Sequence, residues 1–226
     1  MQRNALAYPT IGNQVYQPPF HRLPHISTRS TFKRSLDIVG ACIGLAILSV
    51  LMVPIAIAIR LDSVGPILYS QRRFGLQGKP FTIWKFRSMV TNADALKASV
   101  ANRSQGLIFK NENDPRITKV GRFLRKTSLD EFPQFWNVLT GEMSLVGTRP
   151  PTADEVQHYN ERHWQRLDVR PGMTGQWQVS GRSTIKDFED IVTLDLHYQN
   201  QWTPGYDVKL LIKTVQVLLS KKAGAC

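Results

Sequence analysis

Two adjacent carboxylates, Asp130 and Glu131, stand in the stretch RKTSLDEFPQ, directly behind the basic run KVGRFLRK. A carboxylate can attack an electrophile and hold it covalently. Two neighbouring acids also suit Mg2+, which binds through one or two carboxylates together with substrate phosphates. The plainer reading is structural, because acids in the first turn of a helix complement its macrodipole. The surrounding cations favour chemistry. Arg125, Lys126 and Arg149 can neutralise a diphosphate, and a metal ion between carboxylate and phosphate removes their mutual repulsion. Lys85 and Arg87 add two further phosphate-binding candidates. They leave a candidate strand at alternate positions and therefore share a face, unless they only protect an edge strand with charge.

Several elements must position these groups. Ser128 and Glu131 have the spacing of a capping box, and Pro133 is tolerated near a helix start, so a helix is expected from the acid pair to about Leu139. Ile67–Gln71 and Phe81–Phe86 read as two strands around a turn containing Gly75 and Gly78. A helical stretch is expected around Asp94–Val100. RPGMTGQWQVSGR, residues 170–182, is Gly-rich with a basic residue at each end, so Gly172, Gly175 and Gly181 are positioned for close approach of backbone to a ligand. It lacks the Lys-Ser/Thr ending of a P-loop, and Trp177 either stacks on a base or packs. His158, His163 and His197 match no zinc spacing and are read as structural or surface residues. NDPR, residues 113–116, reads as an Asx-Pro turn.

The chain has 226 residues, a formal net charge of +12 and a hydrophobic fraction of 42%, enough for a real core and a strong signal for an anionic partner. Two cysteines, Cys42 and Cys226, argue against a disulfide or metal framework. Residues 1–31 read as a disordered basic tail. Residues 38–59 carry no charge and are long enough to span a bilayer. Pro54 interrupts that run, Ser49 can satisfy freed backbone groups, and both flanks are basic: Arg29, Lys33 and Arg34 before it, Arg60, Arg72 and Arg73 after it. Positive residues prefer the cytoplasmic side, so a re-entrant helix–break–helix is expected over 32–62, with a simple transmembrane helix as the alternative. Near the C-terminus, Lys209, Lys213, Gln216 and Ser220 recur at helical spacing opposite an apolar face, the pattern of a basic amphipathic helix at an anionic lipid surface.

Six ordered blocks then carry a resemblance: FKRSLDIVGA, DSVGPILYSQRRFG, KFRSM, NDPRITKVGRFLRKTSLDEFPQFWNVLTGEMSLVGTRPP, RPGMTGQWQVSGR and LDLHY. Over roughly residues 32–222 the chain resembles the bacterial sugar transferases, monotopic phosphoglycosyl transferases that initiate exopolysaccharide assembly. The resemblance implies transfer of a sugar-1-phosphate from a UDP-sugar to undecaprenyl phosphate with Mg2+, through a phosphosugar–aspartate intermediate and release of UMP, at the cytoplasmic face of the bacterial inner membrane. It makes Asp130 the nucleophile and a metal contact, and Glu131 its dyad partner. Lys85, Arg125 and Arg149 become phosphate contacts and Arg182 a substrate contact. Ser49 and Pro54 mark the membrane break, although Val50 stands where many members have Pro. Thr148, in VGTRPPT, resembles members acting on UDP-glucose or UDP-galactose.

The expected fold is α+β and mostly helical: a re-entrant membrane segment over 32–62, then a cytoplasmic catalytic domain over 63–226 with a small β-hairpin and an interfacial C-terminal helix. A homo-oligomer and downstream glycosyltransferases are conceivable partners; nucleic acid is not expected, since no helix-turn-helix, zinc or RNP signature is present. The competing readings are a non-catalytic membrane scaffold, a basic nucleic-acid-binding protein, and a transferase that moves the sugar alone and releases UDP.

Overall fold

The computed structural model describes residues 10–11, 14–15, 22–109, 111, 113–181 and 184–220. The tail expected over 1–31 falls largely outside them. Within it, β1 (Thr10–Ile11) pairs antiparallel with β2 (Gln14–Val15). From Arg22 onward the chain is docked: Arg22 Nε donates to Asp168 at 2.7 Å, and the Arg170 guanidinium donates to the Thr28 carbonyl at 2.9 Å. The folded body therefore starts before residue 32.

The uncharged run forms α1 (Thr31–Asp62), a helix of 32 residues with Pro54 inside it. The helix runs through Ser49 and Pro54 without the expected break. Ser49 Oγ donates to the Ala46 carbonyl at 2.7 Å, upstream of the proline. At 1.5 Å per residue the helix is roughly 48 Å long, and it is long and apolar enough to cross a membrane. One stripe of it is buried against the body, through Ala41, Gly44, Leu48, Ile55 and Ile59. The opposite side exposes Val39, Ile43, Val50, Val53, Ile57 and Leu61.

Two cations read from sequence as membrane-flanking charges are engaged by the folded body instead. Lys33 is 4% exposed and its ammonium donates to the Val146 carbonyl and to Asp207 Oδ2, both at 2.8 Å. Arg34 donates to the carbonyls of Val138 and Leu139. A turn further on, Asp37 Oδ1 accepts from Ser144 Oγ and the Leu145 amide. These charges are tolerated because each is hydrogen-bonded, Lys33 to the carboxylate of Asp207 as well.

The hairpin is β3 (Leu68–Phe74) against β4 (Pro80–Phe86), registered Leu68↔Phe86 to Phe74↔Pro80. Its turn places Gln77 and Gly78 at positive φ, 55° and 71°. Phe81 and Ile83 are buried on alternate positions of β4, and Lys85 continues that phase. The helical stretch expected around 94–100 is only a 3-10 helix at Lys97–Ser99, reached through turns, and no α-helix forms there. α2 (Lys119–Lys126) is capped by Thr118 Oγ1 and by Asp62, which accepts from the Val120 amide at 2.9 Å.

The acid pair opens a 3-10 helix, Leu129–Gln134, which passes into α3 (Phe135–Thr140) and ends at Gly141 with φ 86°. The expected capping box is absent, because Ser128 adopts φ 56° and makes no side-chain cap hydrogen bond. A non-glycine residue there carries local strain. Asn137, fully buried, donates to the Thr82 carbonyl at 2.8 Å and so fastens this helix to β4.

β5 (Ser144–Val146) pairs in parallel with β6 (Gly172–Thr174). α4 (Ala153–Val156), α5 (Glu161–Trp164) and the one-turn α6 (Gln176–Val179) lead to α7 (Phe188–Asn200) and α8 (Pro204–Leu219). The glycines of the 170–182 loop admit neighbouring backbone: a Cβ on Gly172 would lie 2.1 Å from the Gly147 amide, and one on Gly175 would lie 2.1 Å from the Gly147 carbonyl. Because backbone cannot swing aside, Gly172→Ala should cost about 3 kcal/mol, the upper end for overpacking. A thermal melt of the variant checks this, and an unchanged midpoint would refute it. In α8, Leu210 is buried, while Val208, Ile212, Val215 and Leu219 are exposed beside Lys209 and Lys213.

Candidate active site

The 3-10 helix after α2 sets Asp130 and Glu131 against the inner face of the hairpin. Asp130 is 6% exposed. Both acids line a cavity of about 230 Å3 whose wall also carries Arg73, Lys85, Arg125 and Arg149. Four cations thus surround two carboxylates, from four separate parts of the chain.

Each cation is held differently. Lys85 Nζ donates to Glu131 Oε1 at 3.0 Å, a contact only partly screened because both side chains are about a third exposed or less. Arg125 Nε donates to Ser88 Oγ at 2.9 Å. Arg149 is gripped by both oxygens of Glu155, at 3.0 and 3.1 Å. Burial pushes the Glu155 carboxyl upward, but the charges of Arg149, Arg73 and Arg166 outweigh it and hold the group below its usual value. It stays ionised and fixes Arg149. Arg73 donates to the Pro150 carbonyl at 3.0 Å. Burial, then the like charge of Arg149, lowers its pKa to about 10. Burial likewise lowers that of Arg125, with Asp130 opposing the shift. Crowded cations whose charge is this disfavoured are stabilised by an incoming anion.

The sequence-derived residues are distributed as follows. Asp130, Glu131, Lys85, Arg125 and Arg149 converge on the one cavity. Arg87 lines not this cavity but an adjoining one, and its guanidinium donates to the carbonyls of Ser63 at 2.7 Å and Val64 at 2.9 Å, just past the end of α1. Arg182 lies outside the described residues. Ser49 and Pro54 are on α1, remote in sequence and element from the acids. Thr148 is fully buried and its hydroxyl donates to the Arg166 carbonyl at 2.9 Å, so it faces the core.

Arg73 was read from sequence only as a flanking charge. Its signal was the period of β3: Arg72 is exposed, whereas Arg73 lines the cavity. NDPR is the expected turn, with Asp114 Oδ1 accepting from the Arg116 amide at 3.0 Å. Arg116 lines a second cavity of about 550 Å3, which shares Arg73, Lys85, Arg125 and Arg149 with the first. The cations therefore form a common wall between two spaces. Among the histidines, His163 Nε2 lies 2.6 Å from Glu189 Oε1, and His197 is exposed. Among the described residues no group of three His, Cys, Asp or Glu side chains gathers as a metal site.

This combination of a long apolar helix, a small hairpin and an acid pair behind a wall of cations agrees with the sequence comparisons. The family model described as bacterial sugar transferase matches residues 28–221, and the chain belongs to that family. It is 48% identical over 207 residues to the galactosyl transferase CpsE of Streptococcus agalactiae, covering 91% of this chain and 45% of that protein. It is 46% identical over 195 residues to the undecaprenyl-phosphate galactose phosphotransferase of Salmonella typhimurium, covering 84% of this chain and 40% of that one. The exopolysaccharide production protein ExoY of Rhizobium meliloti is 36% identical over 189 residues, covering 81% and 83%. The chain thus spans less than half the length of the first two relatives and most of the third.

Proposed function

We propose that this protein transfers a hexose-1-phosphate from a UDP-sugar, UDP-glucose or UDP-galactose, to undecaprenyl phosphate, initiating an exopolysaccharide or capsule repeat unit. The observation that carries this reading is the buried Asp130 beside Glu131 in a cavity walled by Arg73, Lys85, Arg125 and Arg149.

In the first step an Asp130 carboxylate oxygen forms a bond to the β-phosphorus of the donor. The bond from that phosphorus to the bridging oxygen breaks, and UMP departs with the electron pair. In the second step an oxygen of the lipid phosphate attacks the same phosphorus, and the bond to Asp130 breaks. The product is the polyprenyl diphosphate sugar, and the carboxylate is regenerated. The four cations hold the diphosphate against a group that would otherwise repel it, and stabilise the charge that builds on the equatorial oxygens. The larger adjoining cavity leaves room for the nucleoside on the far side of the cation wall.

Asp130 and Glu131 line one cavity and fit Mg2+, which they would hold together with water and substrate phosphate. Bound there, the ion would polarise the phosphoryl oxygens and screen charge.

The way α1 is held supports a monotopic arrangement at the inner membrane. Its first turns are pinned by Asp207, Val146 and Leu145, and its end by Arg87. One catalytic body grips both ends, which supports a helix with both ends at the cytoplasmic face. The exposed apolar sides of α1 and α8, with Lys209 and Lys213, supply the surface for anionic lipid. Cysteines introduced at residues 22–30 and 65–75 should be labelled from the same, cytoplasmic side. Labelling from opposite sides would mean a spanning helix.

The test of activity is nucleotide release by the purified chain with Mg2+, undecaprenyl phosphate and a panel of UDP-sugars. UMP with one donor supports the reading. Release of UDP would mean transfer of the sugar alone, and no nucleotide from any donor would favour a non-catalytic scaffold.

A further inference from the structure

Arg125 is coupled electrically to the nucleophile: of the charges that counter the burial of its guanidinium, that of Asp130 acts most strongly. It is partly exposed and lines both cavities. Its side chain leaves the last turn of α2 with one nitrogen already engaged, because Nε donates to Ser88 Oγ at 2.9 Å. That contact takes one edge of the guanidinium fork. The edge formed by Nη1 and Nη2 is left to grip a phosphate with two parallel hydrogen bonds. An unheld arginine samples many rotamers, and binding must freeze them out. A fixed partner on Nε removes that freedom beforehand.

Ser88 suits this task because it is itself held from two sides. It is 7% exposed. Its carbonyl accepts from the Thr118 amide at 3.2 Å, and a Cβ on Gly121 would lie 2.0 Å from the same oxygen. The first turn of α2 therefore rests directly on the Ser88 backbone, one turn ahead of Arg125. On the other side, the Arg87 amide donates to the Ile67 carbonyl at 2.8 Å, and the Arg87 guanidinium grips the carbonyls of Ser63 and Val64. Asp62 accepts from the Val120 amide of α2. The end of α1 is thus fastened both to the residue before Ser88 and to the helix that carries Arg125.

A buried serine is often satisfied by a nearby carbonyl, and such a bond says nothing about function. This one accepts from a cation of the wall, 37 residues further along the chain. Hydrogen bonds to an ionised group are roughly twice as strong as neutral ones. Placement of a charged group beside a reacting phosphoryl matters on the scale of about 1 Å.

We infer that Ser88 is a positioning residue for the reaction: it fixes the Arg125 guanidinium so that the Nη edge meets the donor diphosphate beside Asp130. The inference rests on the function proposed above and deepens it. Ser88 touches no substrate atom in this role and acts only through Arg125.

The experiment is a double-mutant cycle on the full chain in detergent: wild type, Ser88→Ala, Arg125→Met and the double variant, with Ser88→Thr as the conservative replacement. UDP affinity, kcat/KM of UMP release and thermal midpoints are measured for each. Ser88→Ala should lower kcat/KM roughly ten- to a hundredfold, the cost of a guanidinium displaced by about 1 Å. It should weaken UDP binding roughly three- to tenfold, as the loss of a charge-assisted contact does. In the Arg125→Met background the same substitution should change neither quantity, because a residue that acts through another has no effect once that other is gone. Ser88→Thr keeps the hydroxyl and should restore most of both. A Ser88→Ala loss of equal size with and without Arg125 would overturn the inference, since the serine would then merely support the fold. A folded Ser88→Ala protein with unchanged binding and release would overturn it too. A wild type that binds UDP but releases no UMP would refute the proposed reaction, and the cycle in UDP affinity would still decide the role of Ser88.

Discussion

Asp130→Asn should lower UMP release by at least about a thousandfold, the scale expected when a nucleophile is removed and only binding and electrostatic stabilisation remain. The substitution is nearly isosteric, so packing around this 6% exposed side chain is kept. What it removes is a charge and a nucleophilic oxygen. An amide cannot form the acyl phosphate, and it is a weaker ligand for Mg2+. Glu131→Gln should do less damage to the chemistry. Glu131 is more exposed, and its contact with Lys85 at 3.0 Å marks it as a group that positions charge. Its effect should appear as a loss of roughly ten- to a hundredfold, the range for groups that orient a ligand. Nucleotide release over a time course, with folding checked by thermal melt, measures both. Full turnover by a folded Asp130→Asn protein would sink the assignment of the nucleophile.

Asp195→Ala should be the most damaging substitution for stability. Arg166 and Asp195 are each 1% exposed and joined at 2.8 Å. The guanidinium also donates to the Tyr159 hydroxyl and lies 5.3 Å from the Phe188 ring centroid. Removing the carboxylate leaves a guanidinium in the core without its counter-ion, which costs about 3–5 kcal/mol. For a chain of this size the melting midpoint should drop by on the order of 10 °C. Replacing both partners by apolar residues, Arg166→Met with Asp195→Leu, should recover much of that loss, because no charge is then stranded. A double variant as unstable as the single one would contradict the argument. The damage should extend to catalysis, since Arg166 supports the site from behind. Its carbonyl receives the Thr148 hydroxyl and its guanidinium reaches the Arg149 carbonyl at 3.4 Å.

A local pattern was enough wherever the physics is local. The hairpin follows from two short apolar alternations around glycines, and its observed strands are only a few residues longer than expected. The apolar run is helical, as its pattern implies, but it forms one unbroken helix where Ser49 and Pro54 lead the sequence reading to expect a break. The boundary and conformation at the acid pair were less legible. Ser128 and Glu131 have capping-box spacing, yet the chain turns through a left-handed Ser128 into a 3-10 helix. Packing of that helix against β4 and α3, fixed by Asn137, decides its geometry. A spacing rule contains no such term.

What the sequence determined by itself is the set of reactive groups and their order: an acid pair behind a basic run, an apolar segment able to meet a membrane, and enough ordered motifs to mark the family. Composition and short-range periodicity carry these facts, and they survive any change of tertiary arrangement. Only the tertiary structure decided which way the side chains face. It sent Lys33 to Asp207, 174 residues away, and closed Arg87 onto the end of α1. It brought Arg73 to the acids, and set the Ser88 hydroxyl against Arg125, 37 residues further on. These outcomes depend on contacts between distant segments, and a charge that finds a buried partner is lost to the surface however basic its neighbours are in sequence.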